Sequence, residues 1–287
     1  MTVTIARTLD DACAALAADP EAFVLAGGTD LMVEVNRGDR SIGNVVAIDR
    51  VRELRGWTRE GDVLRIGAGM TYAEMADPEF AAIVPALVQA ARTIGSPQIR
   101  ATGTIGGNVA TASPAGDMLP VLVALDAVVE LRFSDGGRHL PLDEFVVGVK
   151  ANALDPGELI TAVRVPVLDG PQEFLKVGPR NAMVISVASV ALVVDPSGRT
   201  VRVGLGSVGP VPLRATEAEV FIAARIDWEG GGPLAAVDVD RFGDLVADAA
   251  RPIDDHRGTA AYRRHAIGVM ARRALVRVFG AAEGEAA

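Results

Sequence analysis

A single cysteine, Cys13, in 287 residues excludes an internal disulfide and an iron–sulfur cluster ligated by the chain's own thiolates. Histidine is nearly as scarce: His139, His256 and His265 are widely spaced, without carboxylates at metal-ligand spacing, so no zinc site is expected. Aromatic residues make up 4% of the chain, and no acid–base cluster stands out that would nominate a catalytic residue. Basic residues are outnumbered 28 to 37, and the net charge of −9 argues against nucleic acid as a partner. Although 49% of residues are hydrophobic, no apolar run is long enough for a transmembrane segment. The opening MTVTIARTLDDACAAL lacks the basic start, apolar core and small-residue cleavage site of a secretion signal, and a cytoplasmic address is the expectation.

What is present reads as alternating short helices and strands. Thr8 with Asp11 marks a helix start, with Leu9, Ala12 and Leu16 on one face; Phe23-Val24-Leu25 follows as a short strand. Strands are expected at 45–49 and 63–67, and Thr71 with Glu74 forms a second capping box. Pro85 opens a helix that Gly95 stops, and residues 96–114 read as a long irregular binding loop. Asp117 is placed to cap a helix at 118–125, before a strand at 128–133 and a tight turn at Asp135-Gly136-Gly137. Pro166, Gly170 and Pro171 suggest a domain boundary, giving units 1–169 (subdomains of about 1–58 and 59–169) and 170–280. Beyond it come strands at 183–194 and 200–206, helices at about 213–224 and 259–278, and an Ala/Glu/Gly tail at 281–287 that reads as disordered. The last helix's arginines, Arg263, Arg264, Arg272, Arg273 and Arg277, read as a solvated face, with partner docking as the alternative.

The chemistry concentrates in two glycine-rich segments. One comprises Leu25, Ala26, Gly27, Gly28, Thr29, Asp30 and Leu31; the other is centred on Thr104, Ile105, Gly106, Gly107 and Asn108. Paired glycines permit positive φ and leave no Cβ to block a ligand, and consecutive N–H groups can hold an anion in one concavity. With Thr29, Thr104 and Asn108 adding neutral hydrogen-bonding groups, the arrangement suits a pyrophosphate. Asp30 would repel phosphate, so it is read as a helix cap or as turned toward ribose or backbone. Neither segment has GxGxxG spacing, which disfavours a Rossmann dinucleotide site.

The order AGGTDL, TIGGN, ATASPAGDMLPVLVALDA and PIDDHRGTAAYRRHAIGVMARRAL resembles the FAD-binding medium subunit of molybdenum hydroxylases, the carbon monoxide and xanthine dehydrogenase type, over nearly the whole chain. The resemblance implies an α+β fold. It consists of a two-subdomain FAD-binding unit of the vanillyl-alcohol-oxidase-like (PCMH) type and a C-terminal α+β unit with a three-stranded sheet. It places both glycine segments against the FAD diphosphate, with Thr111, Ser113 and Asp117 in contact with the cofactor and Ile160 and Lys176 at its flavin end. Neither glycine segment holds His or Cys, so FAD is expected to be bound non-covalently.

The implied function is electron transfer from [2Fe–2S] clusters in a small partner subunit, through FAD, to NAD, a quinone or oxygen. Molybdopterin belongs to a large partner subunit, and a dimer of heterotrimers is the expected assembly. The alternative is a stand-alone FAD-dependent oxidoreductase with its own small-molecule substrate.

Overall fold

The computed structural model describes residues 1–281; the remainder of the expected tail lies outside the described residues. The chain opens with β1 (Val3–Ile5), α1 (Leu9–Ala18), β2 (Phe23–Leu25), α2 (Leu31–Asn36) and β3 (Val45–Ala47). The strands form a parallel sheet of order β1-β3-β2, so β2 ends at its edge and runs straight into the first glycine segment. The Thr8–Asp11 capping box starts α1, whose Ala12, Cys13 and Leu16 pack with Val46, Ile48, Val51 and Leu54. The lone cysteine is therefore core filling.

A second layer follows: β4 (Trp57–Glu60), β5 (Val63–Gly67), α3 (Pro78–Ile83), α4 (Pro85–Thr93), α5 (Pro97–Thr102), α6 (Ile105–Thr111), α7 (Met118–Ala124), β6 (Val128–Phe133), β7 (Gly136–Pro141), α8 (Leu142–Phe145), β8 (Val146–Gly148), β9 (Ala151–Asn152) and β10 (Leu159–Pro166). Five of these strands make an antiparallel sheet of order β4-β5-β10-β6-β7, while β8 and β9 pair separately. The irregular stretch expected at 96–114 is instead two short helices, α5 and α6, capped by the Ser96 and Thr104 hydroxyls. Turn-forming residues there serve as N-caps, which have the same composition. The glycines expected in the β6–β7 turn belong to β7, since Phe133 pairs with Gly136 across a turn of Ser134 and Asp135.

The third layer comprises β11 (Gln172–Val177), β12 (Ala188–Asp195), β13 (Thr200–Gly206), β14 (Leu213–Arg214), α9 (Thr216–Ala223), α10 (Ala236–Ala249) and α11 (Ala260–Phe279). Its antiparallel sheet runs β11-β12-β13-β14, three long strands with a two-residue fourth at the edge, where three were expected. The strand expected from 183 begins at Ala188, after bends. The sequence reading gave no helix at α10; glycines at 230–232 and Gly243 within the helix obscure its period. The close backbone approach is at Gly268 of α11, where a Cβ would lie 3.0 Å from the Gly243 carbonyl oxygen, while the Arg272 side chain packs over Gly243. The pair lets α10 and α11 cross at close range.

The third sheet closes two cores. Val190, Leu192, Val203 and Leu205 face α9, α10 and α11, whereas Phe174, Ala191 and Val193 join the core containing α4 and α7. Every residue of α7 is buried, as a helix apolar on all sides must be, and Pro120 is accommodated in its first turn. The Pro120 carbonyl lies 1.9 Å from where a Cβ on Gly204 would be. Gly204→Val is therefore expected to destabilise the chain by roughly 2 kcal/mol or more through overpacking, measurable as a lowered urea midpoint.

On the outer face of the five-stranded sheet, Glu130 accepts two bonds from Arg65 and one from Thr161. Burial opposes its ionisation, but these bonds and the charges of Arg65 and His139 outweigh it and hold the carboxyl at about 2. A depressed carboxylate adds stability that is complete above its unfolded value of 4.5 and is lost as pH falls through about 2. Glu130→Gln is expected to flatten the acid limb of the stability curve in that window, as followed by circular dichroism.

Candidate functional site

A cleft of about 520 Å³ opens where the first and second layers meet. Its floor is the junction of the two glycine segments. At Gly27 a Cβ would sit 1.8 Å from the Thr102 carbonyl oxygen, so only glycine lets the segments touch. Gly106 also packs closely on Ala68, where an added Cβ would meet the Ala68 Cβ at 2.6 Å. Of the four glycines, Gly28 alone uses positive φ, at 69°.

The two segments offer different chemistry. No N–H group from Gly27, Gly28, Thr29, Asp30 or Leu31 meets a protein acceptor among the described residues. Successive unfilled amides around a left-handed glycine make a nest for an anion. The second segment's amides are already used: Ile105 donates to Met70 O, Gly106 to Ala68 O, Gly107 to the Thr104 hydroxyl and Asn108 to Thr104 O. The second segment therefore offers close approach and side chains, while the amides without protein acceptors are those of the first. Asn108 Oδ1 is buried with no partner, an acceptor left for a bound donor.

The cleft is lined by Leu25, Ala26, Gly27, Gly28, Thr29, Asp30, Leu31, Thr104, Gly106, Gly107, Asn108, Thr111 and Ile160. Four other expected residues lie apart from this lining. Ile105 is fully buried in the core, and the Ser113 hydroxyl accepts from Ala115 N within its own turn. Asp117 and Lys176 pair with each other at 2.5 Å, each side chain only 6% exposed. Asp117 does not cap α7 as expected; its backbone is already helical (φ −69°, ψ −21°) and its carboxylate turns to the lysine on β11. Burial raises the Asp117 pKa against the opposing pull of Lys176, and its Oδ1 has no partner. Asp30 caps nothing either; it accepts the Thr111 hydroxyl at 2.8 Å, which neutralises part of its repulsion toward an anion.

Tyr72 was not legible as a site residue. It lines the cleft with its ring against Gly103, and burial pushes its phenol up, keeping it a protonated donor. The pairing that brings it there, a Thr71–Thr104 bridge, is long-range and leaves no local sequence signal. Phe23, Arg40, Lys150 and Asn152 also line the cleft without having been expected. No histidine or cysteine does. Among the described residues no cluster of His, Cys, Asp or Glu could hold a metal, and no helix is long and apolar enough to cross a membrane.

A family model described as the FAD binding domain in molybdopterin dehydrogenase matches residues 1–168, and one described as the CO dehydrogenase flavoprotein C-terminal domain matches 173–278. The chain belongs to the FAD-binding subunit family of the molybdenum hydroxylases. It is 32% identical to the glyceraldehyde dehydrogenase medium chain of Sulfolobus acidocaldarius, over 95% of this chain and 96% of that one. It is 33% identical to the carbon monoxide dehydrogenase medium chain of Afipia carboxidovorans, over 90% and 88%. In structure it is similar to the reconstituted CO dehydrogenase from Oligotropha carboxidovorans (TM-score 0.87, 30% identity, 98% of both chains).

For a flavoprotein subunit of this family, the cleft fits FAD: unfilled amides for the diphosphate, neutral hydroxyl and amide groups beside them, and an orphan acceptor at Asn108. One wall is lightly held. No residue of α2 is buried, and it is tied across the cleft by the Asp30–Thr111 bond and by Glu34, which accepts Lys150 Nζ at 2.7 Å. An exposed ion pair is worth little and is screened by salt. Lys150→Ala is thus expected to speed FAD release by about two- to fivefold and to blunt its salt dependence, read by stopped-flow fluorescence.

Proposed function

We propose that this chain carries non-covalent FAD in a multi-subunit molybdenum hydroxylase. It would pass electrons from [2Fe–2S] clusters of a small partner subunit to NAD, a quinone or oxygen. The observation that carries the reading is the run of unfilled amides from Gly27 to Leu31, set where a diphosphate would be held at the glycine junction. The absence of His and Cys from the cleft lining supports non-covalent binding. FAD supplies one- and two-electron exchange, which suits a link between one-electron clusters and a two-electron acceptor.

The chain's own residues bind and orient. The first segment grips the diphosphate; Thr104, Asn108 and Thr111 lie against it from the second layer, and Ile160 offers an apolar wall. The buried Asp117–Lys176 pair, which lies outside the cleft lining, would hold the flavin end, with Asp117 Oδ1 free to accept a hydrogen bond and the ammonium able to donate one. Ser113 shapes the turn that leads to Asp117.

The relatives' names support placing substrate choice outside this chain. Two medium chains and one FAD-subunit about equally similar to it are named for glyceraldehyde, carbon monoxide and nicotinate dehydrogenases respectively. Hydroxylation at molybdopterin then belongs to a large partner subunit, within a cytoplasmic dimer of heterotrimers.

The test is the visible spectrum of the purified chain before and after acid precipitation. Flavin bands that move to the supernatant, and that phosphodiesterase converts from FAD to FMN, are expected; a chain that takes up no added FAD would sink the reading. Gly28→Val and Gly107→Val should each weaken FAD binding by about fivefold or more, because a clash of this kind costs roughly 1–3 kcal/mol.

A further inference from the structure

By sequence alone Arg263 belongs to a solvated arginine face. In the fold it is 4% exposed and points inward from the first turn of α11. One of its terminal nitrogens donates to two carbonyls, Val187 at 2.8 Å and Ser207 at 2.7 Å, and the other to Asp255 Oδ1 at 2.6 Å. Asp255 is itself fixed by the N–H groups of Arg257 and Gly258. A planar guanidinium with fixed donors holds two backbone points in register, which a flexible ammonium does less well. Burying a charge is costly, and Arg263 Nε is left without a partner, so filling space alone would favour an apolar side chain.

The two clamped carbonyls lie at strategic points. Val187 leads into β12 and donates to Val177, the residue after Lys176. Ser207 follows β13 in a left-handed conformation, φ 62°, and donates to the Pro114 carbonyl at 2.8 Å. Pro114 lies three residues before Asp117. From the guanidinium, one route therefore reaches the lysine and the other the turn carrying the aspartate, and the two routes close on each other at the Asp117–Lys176 pair.

We propose that Arg263 is a positioning residue for the flavin end of the site, fixing the Asp117–Lys176 pair by clamping the ends of β12 and β13 onto the turn before α7. This rests on the reading that the pair lies beside the flavin. The clamp acts at one end of the cofactor only. The amides that hold the diphosphate lie in a different layer and share none of its bonds.

The test uses the full chain loaded with FAD, comparing wild type, Arg263→Lys and Arg263→Met with Phe242→Leu, a lesion in the core on the far face of the third sheet. Both Arg263 variants are expected to keep FAD in stoichiometric amount while the flavin absorption bands and midpoint potential shift. Phe242→Leu should lower the melting temperature with neither shift. Asp255→Asn leaves both carbonyl bonds possible and is the milder second variant, expected to shift the bands in the same direction by less. Amide hydrogen exchange on the same proteins without FAD should rise at 114–117 and 186–188 in the Arg263 variants. Unchanged bands, potential and exchange at those segments, with only a lowered melting temperature, would overturn the proposal. Failure of wild type to bind FAD, alongside raised exchange in the variants, would instead remove the flavin reading and leave the clamp.

Discussion

The site exists because two backbones are allowed to touch. Thr102 O occupies the space a Gly27 side chain would need, and this contact joins the edge of the small parallel sheet to the capped helices of the second layer. Every other feature of the cleft depends on it. The unfilled amides of the first segment and the hydroxyl and amide groups of the second line one cleft because the segments meet there. A single methyl group would separate them, since backbone atoms cannot yield as a flexible side chain can.

The same device recurs both between layers and within them. Gly106 on Ala68, Gly204 on the Pro120 carbonyl, and Gly268 on the Gly243 carbonyl each replace a side chain with a close approach. Some of the thirty-one glycines in this chain therefore do more than form turns. They set the spacing between layers, and spacing decides whether residues from different layers can share one ligand. The buried ion pair is a second kind of coupling. Asp117 comes from the helical layer and Lys176 from the third sheet, so the pair forms only when the two are docked. A buried charge that needs its partner favours that one docking over near alternatives.

The resulting molecule divides its work between a rigid interior and a lightly held rim. The floor of the cleft is backbone packed on backbone. The rim is α2, with no buried residue and one exposed ion pair across to the β8–β9 hairpin. Such a division joins a rigid floor to a rim held by weak, screened contacts.

Local sequence determined the elements whose signals are local. Capping boxes at Thr8 and Thr71, the strands at 63–67, 128–133 and 200–206, and the helix opened by Pro85 are all written in neighbouring residues, and each forms where expected. The glycine motifs, with the ordered segments around them, were enough to indicate the family and its cofactor. Tertiary structure alone decided which glycine serves conformation and which serves contact, which segment has free amides, and which arginine is buried. It also turned Asp117 from a helix cap into an ion-pair partner and brought Tyr72 to the cleft. Those outcomes depend on groups far apart in the chain, such as Thr71 with Thr104, Lys176 with Asp117, and Arg263 with Val187 and Ser207. Composition and spacing carry no record of a meeting between distant residues; only the packing of layers creates it.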